Sequence, residues 1–99
     1  MTKLGDIAQK VRSKNAGPFW LTLDIFCGTP DVFDVVCQRL HTVKVAEVLG
    51  ADSQTLKRFD ISQLCVIKIS LPRPHIQGHI HDRDMHGASY AALLAELEI

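Results

Sequence analysis

Residues 19–27 read FWLTLDIFC, and two different faces alternate along them. Phe19, Leu21, Leu23, Ile25 and Cys27 fall on one side; Trp20, Thr22, Asp24 and Phe26 fall on the other. A period of two is that of a β-strand, whose successive side chains leave on opposite faces. One face is wholly apolar and the other mixed. That contrast predicts a strand covering a core on one side and meeting water or a partner on the other.

A single strand buries little, so its neighbours have to come from the flanking sequence. Downstream, GTPDVFDVVCQRL (28–40) carries the marks of a helix. Thr29 suits the N-cap, Pro30 the first helical position, and Asp31 the positive end of the dipole. Val32, Phe33, Val36, Cys37 and Leu40 form its buried stripe. A second short helix is expected over Val43 to Leu49, with Gly50 as its C-terminal cap, and Asp52 or Ser53 starts a further turn. FDISQLCVIKISLP (59–72) reads as extended structure, with Cys65, Ile67, Ile69 and Leu71 on one face and Leu64, Val66, Lys68 and Ser70 on the other. Pro72 and Pro74 end it, because proline cannot donate to a ladder. Upstream, Leu4, Ile7, Ala8 and Val11 stand at helical spacing, which predicts an amphipathic helix over 4–13. The closing ASYAALLAELEI (88–99) favours a helix, though Leu94, Leu97 and Ile99 could also close a last strand.

These elements predict an α+β fold in one domain spanning 1–99: a small ferredoxin-like sheet with helices on one face. The order departs from a plain βαββαβ repeat because a helix comes first.

Composition bounds the function. The 99 residues hold 11 basic and 11 acidic side chains, for zero net charge. That balance argues against a nucleic-acid binder relying on bulk positive charge, while leaving room for a local basic patch. Hydrophobic residues make up 46% of the chain, which places it among globular proteins. Cys27, Cys37 and Cys65 lie far apart in apolar runs without a CxxC, and read as buried thiols in a reducing compartment. The polar start lacks a signal-peptide core and no run reaches membrane-spanning length, so a cytoplasmic chain without membrane contact is expected.

Three groups of residues could carry chemistry. In RSKNAGPF (12–19), Asn15 and Gly17 suit tight or left-handed backbone, and Arg12 and Lys14 supply charge. Ser13, Lys14, Asn15 and Gly17 could hold an anion, or the segment could be a capped turn. If a helix precedes it, the negative end of that helix opposes an anion. Arg73, between two prolines, has its guanidinium held ready for a carboxylate or phosphate, or for a salt bridge to Asp24 or Asp84. The loop from Arg73 to Gly87 carries His75, His79, His81, Asp82, Asp84 and His86. Its spacing matches no standard zinc motif, so it reads as a solvated histidine-rich loop, with a metal site as the rival. No P-loop, GxGxxG or GxSxG occurs, and nothing calls for a cofactor.

The segments around SKNAGPF, the RP of Arg73-Pro74, the Gly78, Asp82, Asp84, Gly87 and Ala88 positions and the LLAELEI end together resemble a small domain-of-unknown-function family. Its members stand beside, or are fused to, AtuA-type proteins of acyclic terpene utilisation, and the fused domain is described as ferredoxin-like. His79, Ile80 and His81 depart from that pattern, as do Ser89 and Tyr90. The resemblance implies a small accessory subunit paired with an AtuA-like large subunit, completing a hydratase- or lyase-type site for a carboxylate or acyl-CoA. In that reading Lys14 and Arg73 bind negative charge, Asn15 orients a carbonyl, and Asp82 or Asp84 acts as acid or base. The rivals are a homo-oligomeric interaction module built on the Trp20/Phe26 face and a metal-dependent enzyme using the histidines.

Overall fold

The computed structural model describes residues 2–17, 19–72 and 88–99. Within them the order is α1 (Leu4–Ile7), β1 (Lys10–Asn15), β2 (Trp20–Phe26), α2 (Pro30–Arg39), α3 (Thr42–Leu49), β3 (Lys57–Ile61), β4 (Val66–Pro72) and α4 (Ala88–Ala95). The four strands form one sheet in the order β1-β2-β4-β3, with every neighbouring pair antiparallel.

The topology follows from these pairings. Strands β2 and β3 each run antiparallel to β4, so they are parallel to one another, with α2 and α3 crossing between them. That is a split βαβ unit with β4 inserted at its centre. In a ferredoxin-like βαββαβ chain the last strand takes the edge beside the first. Here β1 fills that edge from the N-terminal side. The two chain ends meet accordingly: Lys3 bridges Glu98, Leu4 N–H donates to Leu97 O (2.8 Å) and Ile99 N–H to Thr2 O (2.8 Å). Lys3 Nζ also reaches Glu96 Oε2 at 2.7 Å. The fold is thus a ferredoxin-like arrangement with its ends relocated.

Local signals placed most elements. Thr29 Oγ1 accepts the Val32 N–H (3.3 Å) with Pro30 at the first helical position, and Gly50 closes α3 in left-handed backbone at φ 68°. Asp52 Oδ1 accepts from Gln54 N–H (2.9 Å) to shape the turn before β3. Leu21, Leu23 and Ile25 of β2 and Ile67, Ile69 and Leu71 of β4 are fully buried. They pack with Phe33, Val36 and Leu40 of α2, Val45, Ala46 and Leu49 of α3, Leu94 of α4 and Leu4 of α1.

Four expectations are corrected. The helix over 4–13 is only one turn, Leu4–Ile7, and Ala8 is already extended. Its N-cap, Lys3, makes no side-chain cap bond, and an uncapped single turn is marginal. Residues 10–15 instead pair with β2 from Lys10↔Phe26 to Asn15↔Leu21, which satisfies their backbone. Second, 59–72 is a hairpin: β3 and β4 flank a turn in which Cys65 adopts positive φ (52°). Third, Phe19 lies outside β2 and is exposed, because it belongs to the hairpin joining β1 to β2. Fourth, Cys27 is buried, but Cys37 and Cys65 are only half-buried.

Candidate functional site

The alternation of FWLTLDIFC gives the sheet its two faces. The helix-side face carries the core. On the opposite face, antiparallel register aligns side chains from all four strands in rows. Lys10, Phe26, Val66 and Ile61 form one row, and Arg12, Asp24, Lys68 and Phe59 the next. Lys14, Thr22, Ser70 and Lys57 form a third, with Trp20 beside Pro72 at the end. None of the helices among the described residues packs on this open face. Phe59 is 52% exposed and Trp20 39%, which is unusual for rings of this size.

The charge on this face is one-sided. Among the described residues, five cations, Lys10, Arg12, Lys14, Lys57 and Lys68, stand against one carboxylate, Asp24. The whole chain is neutral, so charge has been segregated. Arg12, Asp24 and Lys68 are neighbours across three strands, yet none of them closes an ion pair within 4.0 Å among the described residues. The other strand carboxylate, Asp60, is on the helix side, where its Oδ1 pairs with Arg58 Nε at 2.9 Å.

Arg58 positions the edge of this face. Its guanidinium donates to Leu40 O, to Cys37 O (3.3 Å) and to Thr42 Oγ1 (3.4 Å), tying β3 to the corner between α2 and α3. Because Arg58 points to the helices, its neighbours Lys57 and Phe59 point to the open face.

The same alternation divides the SKNAG segment. Ser13 pairs with Leu23 and Asn15 with Leu21, so both stand on the helix side. Ser13 Oγ accepts the Ala91 N–H of α4 at 3.0 Å. Lys14, opposite Thr22, stands on the open face with Arg12. Gly17 lies in the hairpin with φ +83°, and a Cβ there would meet nothing within 4 Å. Glycine is needed for the backbone, not for space. The expected negative helix end behind this segment is replaced by a strand, which has little dipole. A cleft of about 580 Å³ runs along the β1 edge, lined by Val11, Arg12, Ser13, Lys14, Asp24, Phe26 and Ala91. Ser13, Lys14, Asn15 and Gly17 are therefore close in the chain but split between the two faces and the turn.

Arg73, Asp82 and Asp84, with His75, His79, His81 and His86, lie outside the described residues. Among the described residues no group of three His, Cys, Asp or Glu side chains could hold a metal ion. Burial pushes the Cys27 thiol up to about 11, and Cys37 is raised by burial and by nearby Asp60. Both thiols are thus protonated at neutral pH and are poor nucleophiles. No helix among the described residues is long and apolar enough to cross a membrane.

The sequence reading missed the cationic rows, although one signal for them was present. Lys10, Arg12 and Lys14 recur at a period of two, which marks a strand with a charged face. Phe59, Lys57 and Lys68 join them only through register.

Residues 4–98 match the family described as Domain of unknown function (DUF4387). The chain belongs to that family. No curated protein and no solved structure matches it.

Proposed function

We propose that this DUF4387 chain is a small accessory subunit that docks through its open sheet face on a larger, AtuA-like subunit. One observation carries the reading. Phe59 is exposed two residues from half-buried Ile61, and Trp20 is exposed at the far end of β2 from half-buried Phe26, on a face that no described helix covers. Exposed aromatic residues ringed by polar ones are the mark of an interaction surface, and aromatic and arginine side chains supply most interface hot spots. The resemblance to AtuA-associated proteins supports an AtuA-like partner.

In this reading the assembled pair forms a hydratase- or lyase-type site for a carboxylate or acyl-CoA. Arg12 and Lys14, side by side at the β1 edge, supply the positive charge, together with Arg73. Asp82 and Asp84 are the acid–base candidates. Ser13 has a positioning part, holding α4 against β1. The histidine loop is read as part of the subunit and not as a metal centre.

The test is co-expression of this chain with its AtuA-like partner, followed by native mass measurement. The reading predicts a stable hetero-complex that Trp20→Ala or Phe59→Ala weakens while the free chain stays folded. Two separate proteins at micromolar concentration would refute it.

A further inference from the structure

The docking surface just proposed has a definite sign, and its sign identifies the partner's surface. We infer that the open sheet face recognises an acidic patch on a larger protein, through the cations of β1, β3 and β4. This inference rests on the docking reading.

Strands lie about 4.8 Å apart and rise about 3.3 Å per residue. Three strand spacings separate β1 from β3, and Lys10 is four residues from Lys14, so the cations outline a field of about 14 Å by about 13 Å. Lys14 and Lys57 close the two ends of one row, with the hydroxyls of Thr22 and Ser70 between them. Arg12 and Lys68 flank Asp24 in the next row. Among the described residues a single carboxylate faces five cations, and none of the five has an ion-pair partner.

Such a field chooses between occupants. A second copy placed face to face would set five cations against five, and like charges across an interface cost several kcal/mol. An acidic surface gains by the same term and is steered to the face at long range. The exposed rings favour protein over a purely ionic ligand. Phe59 ends the row of Arg12 and Lys68, and Trp20 stands at one end of β2, so apolar anchors border the charged centre, as they do where hot spots exclude water from charge pairs. A single-stranded nucleic acid could also stack on rings beside cations. It is disfavoured because the rings are separated across the sheet, with charged and hydroxyl side chains between them.

The experiment measures association of this chain with the AtuA-like large subunit between about 0.05 and 0.5 M salt, a range over which screening shortens from beyond 10 Å to a few ångströms. The probes are the wild-type chain, Lys14→Glu/Lys57→Glu/Lys68→Glu, Trp20→Ala and a twelve-nucleotide oligo-dT strand. We expect the wild-type association rate to fall about tenfold or more as salt rises, and the charge-reversed chain to associate at least about tenfold more slowly at low salt. Its circular dichroism should match the wild type, since all three lysines stand on the open face. Association that ignores salt and charge reversal but is lost in Trp20→Ala would overturn the acidic-patch inference and leave the docking reading standing. Absence of any complex overturns both. Tighter binding of oligo-dT than of the large subunit would make the face a nucleic-acid platform and also overturn the inference.

Discussion

Replacing Arg58 by methionine should cost this fold about 3 kcal/mol. The side chain is 14% exposed, so most of its hydrogen bonds lie out of bulk water. It satisfies Cys37 O and Leu40 O, carbonyls at the C-terminal end of α2 that have no further turn to bond them. A hydrogen bond from a charged donor contributes about 1.5–3 kcal/mol, and partial solvent access puts both bonds in the lower part of that range. The cation at the negative end of α2 adds about 0.3–1 kcal/mol. The Asp60 pair adds little, because Asp60 is 40% exposed and such pairs contribute about 0–1 kcal/mol. Methionine keeps much of the stem's packing, so the loss is chiefly polar. In a domain of this size the melting temperature should fall by about 12–24 °C. Urea unfolding followed by circular dichroism gives the free energy directly. Arg58→Lys, which keeps the charge but not the planar fork, should lose less than Arg58→Met. A loss below about 1 kcal/mol in Arg58→Met would refute the claim that this guanidinium pins β3 to the helices.

Three further outcomes follow from the fold. A Cβ on Gly5 would sit 2.9 Å from Ala95 Cβ and 3.1 Å from Ala95 O, so Gly5→Ala should lower stability by about 1–3 kcal/mol in urea unfolding as α1 is pushed from α4. A circular permutant that joins Ile99 to Thr2 through a short linker and opens the chain between β1 and β2 should keep its helix and strand content by circular dichroism, because the ends already meet. The Cys27 thiol has its pKa raised from 9.0 to about 11 by burial, so folding favours the protonated form. Its contribution is complete below pH 9 and is lost as the pH rises to about 11, so the stability advantage of wild type over Cys27→Ala should shrink across that interval.

Much of the architecture was legible because local signals and tertiary needs agreed. Thr29, Pro30 and Gly50 mark helix ends by backbone chemistry that needs no partner. The Leu21, Leu23, Ile25 and Ile67, Ile69, Leu71 sets declare a buried face by period alone. Residues 4–15 misled because two periods overlap there. Leu4, Ile7, Ala8 and Val11 fit a helix, while Lys10, Arg12 and Lys14 fit a strand. The free edge of β2 decided between them, and no local residue reports that edge. The hairpin inside 59–72 was hidden for a similar reason, since its turn places Cys65 in left-handed backbone without a glycine or asparagine to announce it. The open face was half visible. Trp20 and Phe26 were recognisably on a mixed face, but Lys57, Phe59 and Lys68 reach it only through strand order. The residues of the SKNAG segment adjoin in sequence and so look like one constellation. In a strand, adjoining residues point opposite ways, and Ser13 and Lys14 are separated by the sheet itself.

Trp20 is the only tryptophan of the chain, so its fluorescence reports on the open face alone. Titrating the proposed AtuA-like partner, with any tryptophans changed to phenylalanine, against this chain tests the docking claim most directly. If the open face is the docking surface, Trp20 emission shifts to the blue and acrylamide quenching falls as the complex forms. A complex that forms with Trp20 emission and quenching unchanged would place the interface elsewhere and contradict the account.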